Sequence, residues 1–153
     1  MVEIRSVRHE GRTYEVHVHR DLVRLPDGTP ITAVSFDPAD PYARARDPDF
    51  GLYLDPRWQP SWDHDHLDWP DFGVPADRTI VLSNLGSLLD RARQGQSVEI
   101  GCLGGHGRTG TALALLAVLA GHPSDDAVAW VRTHYCPKAV ETGEQQAYVT
   151  QAQ

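Results

Sequence analysis

The sequence predicts an α/β domain: one central, largely parallel sheet with helices on both faces. Two observations predict it. A short strand-like run, Ser97-Val98-Glu99-Ile100, feeds the glycine-rich stretch Cys102-Leu103-Gly104-Gly105-His106-Gly107-Arg108-Thr109-Gly110, which opens an apolar helix from Thr111 to Ala120. Alternating strand-like segments occupy the first third of the chain, and helical periodicity follows in the second half. At 153 residues the chain fits one domain over residues 1–153, with N-terminal strands and loops in 1–60 and the chemistry-bearing motifs in 66–149.

Taken in order, Tyr14-Glu15-Val16-His17-Val18-His19 alternates polar and apolar residues as a half-buried strand does. Asp27-Gly28-Thr29-Pro30 signals a turn, and Ile31 to Phe36 returns as a strand. His17 and His19 share one strand face, but two ligands without a third describe a solvated face better than a metal site. Residues 37–50 are rich in Pro, Asp and Arg and read as an exposed loop, with Arg44 and Arg46 balanced by acidic neighbours. Phe50 to Leu54 reads as a short strand, and Asp55-Pro56 opens an irregular segment through Trp58 and Trp62. Asp63-His64-Asp65-His66 has metal-ligand residue types without a further ligand at a recognisable spacing.

Asp77 caps a helix running to about Arg93, with Val81, Leu85, Leu88 and Ala92 on its core face and Gly95 ending it. Ser97 to Gly101 is a buried strand. The following helix is apolar all round and therefore central, and Gly121 and Pro123 stop it. Ser124 caps the next helix, with Asp125 and Asp126 in its first turn. Thr142 with Gln145 three residues on forms a capping box for a C-terminal helix.

A cysteine, five residues and an arginine between strand and helix form an anion cradle. Loop N–H groups turn inward, and the helix N-terminus adds positive potential. Leu103, Gly104, Gly105, His106 and Gly107 supply the cradle's backbone, and the Arg108 fork can hold two phosphate oxygens. The same field favours a thiolate at Cys102, the reactive form. The stretch resembles the His-Cys-x-x-Gly-x-Gly-Arg-Ser/Thr-Gly loop of the cysteine-dependent protein tyrosine phosphatase superfamily, with Gly101 in place of the histidine. Upstream, His66 and Trp69-Pro70-Asp71-Phe72-Gly73-Val74-Pro75 resemble that family's mobile acid loop. Acid loop before cysteine is also the reverse of the order in low-molecular-weight phosphatases and arsenate reductases.

The resemblance implies a phosphatase fold and a two-step reaction. Cys102 would be nucleophile, Arg108 the oxyanion holder and Asp71 the general acid, with the Thr109 hydroxyl bonded to the sulfur to ease its departure. Val140-Glu141-Thr142-Gly143-Glu144-Gln145 resembles the glutamine loop of the tyrosine-specific branch, which implies that Gln145 positions the hydrolytic water. Glu141 stands where that branch has its first glutamine. The family needs no metal or other cofactor.

The implied partners are phosphorylated proteins, through phosphotyrosine with dual specificity as an option. Small phosphate esters such as phosphoinositides or nucleotides are the alternative, to which a basic His106 would contribute. A phosphate-binding pseudophosphatase is the non-enzymatic alternative, motivated by Gly101 and Glu141. A net charge of −7 argues against nucleic-acid or anionic-membrane binding. The longest apolar run is too short to span a bilayer. Two cysteines, Cys102 and Cys136, imply no disulfide framework, and with no signal-peptide pattern a reducing cytoplasm is expected. Cys136 is expected to be an inert buried thiol, with trapping of an oxidised Cys102 as the alternative.

Overall fold

The computed structural model describes residues 3–9 and 11–151, with the backbone path alone for 3–9 and 12–17. An antiparallel hairpin, β1 (Glu3–His9) and β2 (Arg12–Val18), precedes the main sheet. The His17–His19 pairing falls partly outside this description, because the side chain at 17 is not described.

The main sheet contains β3 (Arg20–Arg24), β4 (Pro30–Ser35), β5 (Phe50–Tyr53), β6 (His64–His66) and β7 (Val98–Cys102), in the order β3-β4-β7-β5-β6. Only β3 with β4 is antiparallel; β4–β7, β7–β5 and β5–β6 are parallel. The expected α/β class with a largely parallel sheet is thus the observed one. β7 lies centrally because all five of its residues are buried and apolar or paired, as a strand covered on both faces must be. β6 was not anticipated. It has three residues and no alternation, and it exists because β5 offers an edge to pair with.

Among the described residues four helices form: α1 (Arg78–Arg93), α2 (Gly107–Leu119), α3 (Ala127–His134) and α4 (Gly143–Thr150). Asp77 caps α1 as expected, accepting from Ile80 N–H at 3.2 Å, a bond that typically contributes about 1 kcal/mol. α2 is buried from Gly107 to Ala117, the central helix that its unbroken apolar run demands. It starts inside the glycine-rich stretch, four residues earlier than expected. α3 starts at Ala127, so Ser124 does not cap it; Asp126 stands at the cap without a side-chain capping bond, its carboxylate meeting His122 instead, and residues 124–126 form a turn.

Helices on both faces are not what forms. Residues from all four helices share one core with Ile31, Ala33, Phe50, Leu52, Val98 and Ile100 of the sheet. The other face is covered by an aromatic layer from the connecting loops. Val34, Tyr53 and Trp58 are fully buried there, with Phe36, Tyr42 and Trp62 packed against them. Tyr53 and Trp58 stack at 4.4 Å. Loop 37–50 is not wholly exposed either: the Arg44 side chain is buried against Glu99. No helix among the described residues is long and apolar enough to cross a membrane.

Candidate active site

Parallel strands β4, β7 and β5 end side by side, with Ser35 opposite Cys102 and Tyr53 opposite Gly101. The chain leaves β7 at this carboxyl edge, where ligand sites of such sheets form. Cys102, buried at 2 % exposure, ends β7, and the loop curls over it so that Gly105 N–H donates to its Sγ at 3.2 Å. Gly105 makes that curl with φ +76°, a left-handed conformation open to glycine. Phe36 N–H secures the loop from β4 by donating to the Cys102 and Leu103 carbonyls, each at 3.0 Å.

Gly101 has a physical reason. A β-carbon there would lie 2.6 Å from Val34 Cγ2, 2.8 Å from Val34 O and 3.2 Å from Trp58 Cζ2. The aromatic layer presses on β7 so closely that no side chain, and so no histidine, fits before the cysteine.

Arg108 opens α2 and is buried. One terminal nitrogen donates to the Leu54 and Trp69 carbonyls, at 3.0 and 3.4 Å, and the other to Asp55 Oδ2 at 3.1 Å. Its Nε lies 3.6 Å from Asp71 Oδ1. A buried guanidinium needs such partners to stay charged at low cost. Sequence reasoning missed Asp55. Its one signal was a carboxylate directly after a strand, at the same sheet edge as the cysteine.

The acid loop is folded onto this arginine. Trp69, buried at 3 % exposure, closes the turn by donating its indole N–H to Gly73 O at 2.8 Å, and Gly73 N–H returns to Pro70 O at 3.1 Å. Asp71 is more than half exposed, while Phe72 holds φ +59°, a strained conformation for a side chain with a β-carbon. Val140, rarer still as a β-branched residue, holds φ +64°. Both strained residues adjoin a carboxylate that faces the cradle, Asp71 and Glu141. Strain of this kind costs on the order of 1–3 kcal/mol per residue and concentrates at functional sites.

Glu141 reaches the cradle. Its carboxylate lies over Gly107, where an added β-carbon would come within 2.3 Å of Oε1, and it accepts from Gly107 N–H. Partial burial, then the neighbouring Asp71 charge, hold its proton to a higher pH than an ordinary glutamate. The Gly107 N–H bond and Arg108 act the other way.

Gln145 lies beside the cradle, where a β-carbon on Gly107 would come within 3.3 Å of its Nε2. It is fully buried with both ends of its amide engaged: Oε1 accepts from Glu141 N–H at 2.9 Å and Nε2 donates to Gly73 O at 3.2 Å. Thr142 Oγ1 accepts from Gln145 N–H at 3.1 Å, the bond a capping box makes. The Thr109 hydroxyl is buried without a hydrogen-bond partner among the described residues, so the expected bond to Cys102 Sγ is not formed. His106 is half-buried and turns to His19, whose ring it meets edge-on at 5.0 Å. Tyr135 donates its hydroxyl to Gly105 O beneath the cradle, and burial holds its proton well above the usual phenol range. Cys136 is buried. His64 and His66 are bonded through one ring nitrogen each to the Trp62 and Trp58 carbonyls.

A buried thiol in an N–H-lined cradle at a helix start, a buried arginine and a carboxylate on a loop define an oxyanion-handling site. Residues 57–152 match the sequence profile described as protein-tyrosine phosphatase, and the chain belongs to that family. Among solved structures, the active form of Tk-PTP superposes with a TM-score of 0.65 at 26 % identity, covering 85 % of this chain and 95 % of that one. Kinase associated phosphatase superposes with a TM-score of 0.69 at 15 % identity, covering 86 % and 92 %, a likeness of fold alone. An uncharacterized protein of Methanocaldococcus jannaschii, MJECL20, is 37 % identical over 83 residues, 52 % of each chain. A second from that organism, MJ0215, is 37 % identical over 81 residues, 52 % of this chain and 48 % of that one. The chain thus spans about half the length of the curated relatives it matches.

Proposed function

We propose that the protein hydrolyses phosphotyrosine in proteins, with dual specificity as an option, through a phosphocysteine intermediate. The observation that carries this is the convergence on one guanidinium: Arg108 opens the helix behind Cys102, and Asp71 Oδ1 lies 3.6 Å from its Nε. In the first step the Cys102 thiolate attacks phosphorus. The loop N–H groups and the Nε edge of Arg108 hold the equatorial oxygens, while Asp55 and the Leu54 carbonyl keep the guanidinium in place. The bond to the leaving oxygen breaks as Asp71 delivers its proton. In the second step water attacks the phosphocysteine, Asp71 takes the water's proton, and the thiolate leaves. Gln145, beside Gly107, holds the acid loop through Gly73.

Small polyanionic esters are the second reading. Its motive was a basic side chain at the cradle's rim, and His106 packs inward against His19 instead.

Release of phenol from an aryl phosphate tests the proposal, followed by phosphopeptide and phosphoinositide panels. Cys102→Ser is expected to abolish turnover, and Asp71→Asn to lower kcat by roughly 10²–10⁴-fold. Turnover that persists in Cys102→Ser would sink the thiolate mechanism. Turnover of phosphoinositides with none of phosphopeptides would sink the substrate assignment.

A further inference from the structure

On the inner side of the cradle lie three side chains for which the phosphatase reaction has no use. His19, fully buried, sits between β2 and β3. His106 belongs to the cradle itself, and Cys136, 1 % exposed, follows α3. One ligand atom from each, all within 4.8 Å of one another, can be brought to a common centre. Among the described residues this is the sole group of three or more His, Cys, Asp or Glu side chains placed in this way. Asp21 Oδ2 lies 2.7 Å from His19 Nδ1. A carboxylate on one imidazole nitrogen orients the ring and makes the other nitrogen, Nε2, the more basic ligand.

We propose that His19, His106 and Cys136 bind a zinc-class cation on the inner side of the phosphate cradle. The donors select the metal. Two imidazoles and a thiolate suit Zn²⁺, whereas Mg²⁺ and Ca²⁺ require oxygen ligands. Zn–N bonds of about 2.0–2.1 Å and Zn–S bonds of about 2.3 Å place tetrahedral ligand atoms roughly 3.5 Å apart. The present spread of up to 4.8 Å must therefore contract by about an ångström, which rotation of the half-buried His106 ring can supply.

Binding joins three parts of the chain: the β2–β3 junction, the entry to α2, and the end of α3. The site adjoins the reactive thiol, since Tyr135, next to Cys136, donates its hydroxyl to Gly105 O while Gly105 N–H meets Cys102 Sγ. Coordination converts the Cys136 thiol to thiolate and releases its proton. None of this depends on which phosphate ester the enzyme cleaves.

The test uses the full chain carrying Cys102→Ser, which removes the cradle thiol as a rival ligand. Zn²⁺ is titrated in competition with a chromophoric chelator, and Co²⁺ is added separately to read the thiolate-to-metal absorption in the near ultraviolet. One equivalent of Zn²⁺ is expected, with a Co²⁺ spectrum showing sulfur ligation. Adding Cys136→Ser should abolish that absorption, and adding Cys136→Ser or His106→Ala should each weaken Zn²⁺ binding at least about tenfold. Absence of stoichiometric binding in the Cys102→Ser protein would overturn the proposal. So would binding that survives both further substitutions, or that is lost in His64→Ala/His66→Ala instead. Circular dichroism checks each variant's fold; should Cys136→Ser fail to fold, His106→Ala at a half-buried position carries the test.

Discussion

Glu141 and Asp71 bring two carboxylates to one guanidinium, and only Asp71 has a part in the proposed proton transfers. Glu141 takes the Gly107 N–H, one of the donors a phosphate oxygen would use. Its proton is held to a higher pH than usual, chiefly by burial and then by Asp71. Below that raised titration Glu141 is neutral and tolerates a bound anion. Above it, a second negative charge faces the anion and competes for the same donor. Affinity for an anion of constant charge should therefore fall as pH rises through the titration of Glu141. Sulfate, titrated calorimetrically into the Cys102→Ser protein, measures this. Glu141→Gln should flatten the pH dependence and tighten binding at neutral pH by roughly fivefold, the effect of removing a unit charge worth on the order of 1 kcal/mol near solvent. Stability has the matching sign. A carboxylate whose folded pKa is raised costs the fold when ionised, so its contribution worsens as pH rises from the ordinary glutamate range through the raised one. Equal pH slopes for the two proteins would remove Glu141 from the anion site.

At the scale of elements, the acid loop and α4 are joined by one side chain. Gln145 bonds the Gly73 carbonyl on one side and the Glu141 N–H on the other, while its own N–H satisfies the Thr142 cap. Gln145→Ala would strip the Glu141 N–H of its acceptor and leave the Gly73 carbonyl with the Trp69 indole alone, at a cost of about 1–3 kcal/mol. Urea unfolding should show this loss, and kcat should fall because the loop bearing Asp71 is no longer tethered. A water-positioning role would look different: unchanged stability and a burst of phenol followed by slow turnover. The cradle and acid loop were legible in the sequence because each is a contiguous run whose residue types are dictated by local geometry. What escaped was paired across long stretches of chain. Asp55 meets Arg108 53 residues later, and Arg44 meets Glu99 55 residues later. Neither leaves a periodic trace. Gln145 could be read as a cap or as a catalytic residue because one pattern serves both. The start of α2 was placed late because its glycines and Thr109 are poor helix formers. Packing of that first turn under the cradle overrides propensity.

The molecule as a whole is asymmetric about its sheet. Four helices cover one face, and loops rich in aromatic residues cover the other, where a buried ion pair holds them down. Arg44 Nε donates to Glu99 Oε2 at 2.7 Å and its terminal nitrogen to Oε1 at 3.2 Å, with both side chains below a tenth exposed. Tyr53 adds its hydroxyl to Glu99 Oε1 at 2.9 Å, and Trp62 donates its indole N–H to that hydroxyl at 2.8 Å. Burial, then the Glu99 charge, keep the Tyr53 phenol protonated far above its ordinary range, so it stays a donor at every working pH. Glu99 lies on β7, three residues before Cys102. The aromatic layer it anchors presses on Gly101, so the loop covering this face also fixes the strand that carries the thiol. Arg44→Met leaves an ionised Glu99 without its partner in a dry layer and should destabilise the protein by about 3–5 kcal/mol. Glu99→Leu alone should cost a similar amount by stranding the guanidinium. The double variant Arg44→Met/Glu99→Leu removes both charges and fills the space with apolar volume, so its stability should return close to that of the parent. Urea melts of the four proteins form the cycle. Strong recovery in the double variant would mean that the pair selects how the loop docks more than it stabilises the fold. Losses that simply add would show that each side chain acts through separate contacts, Arg44 through the Trp58 and Trp62 rings beneath it and Glu99 through Tyr53.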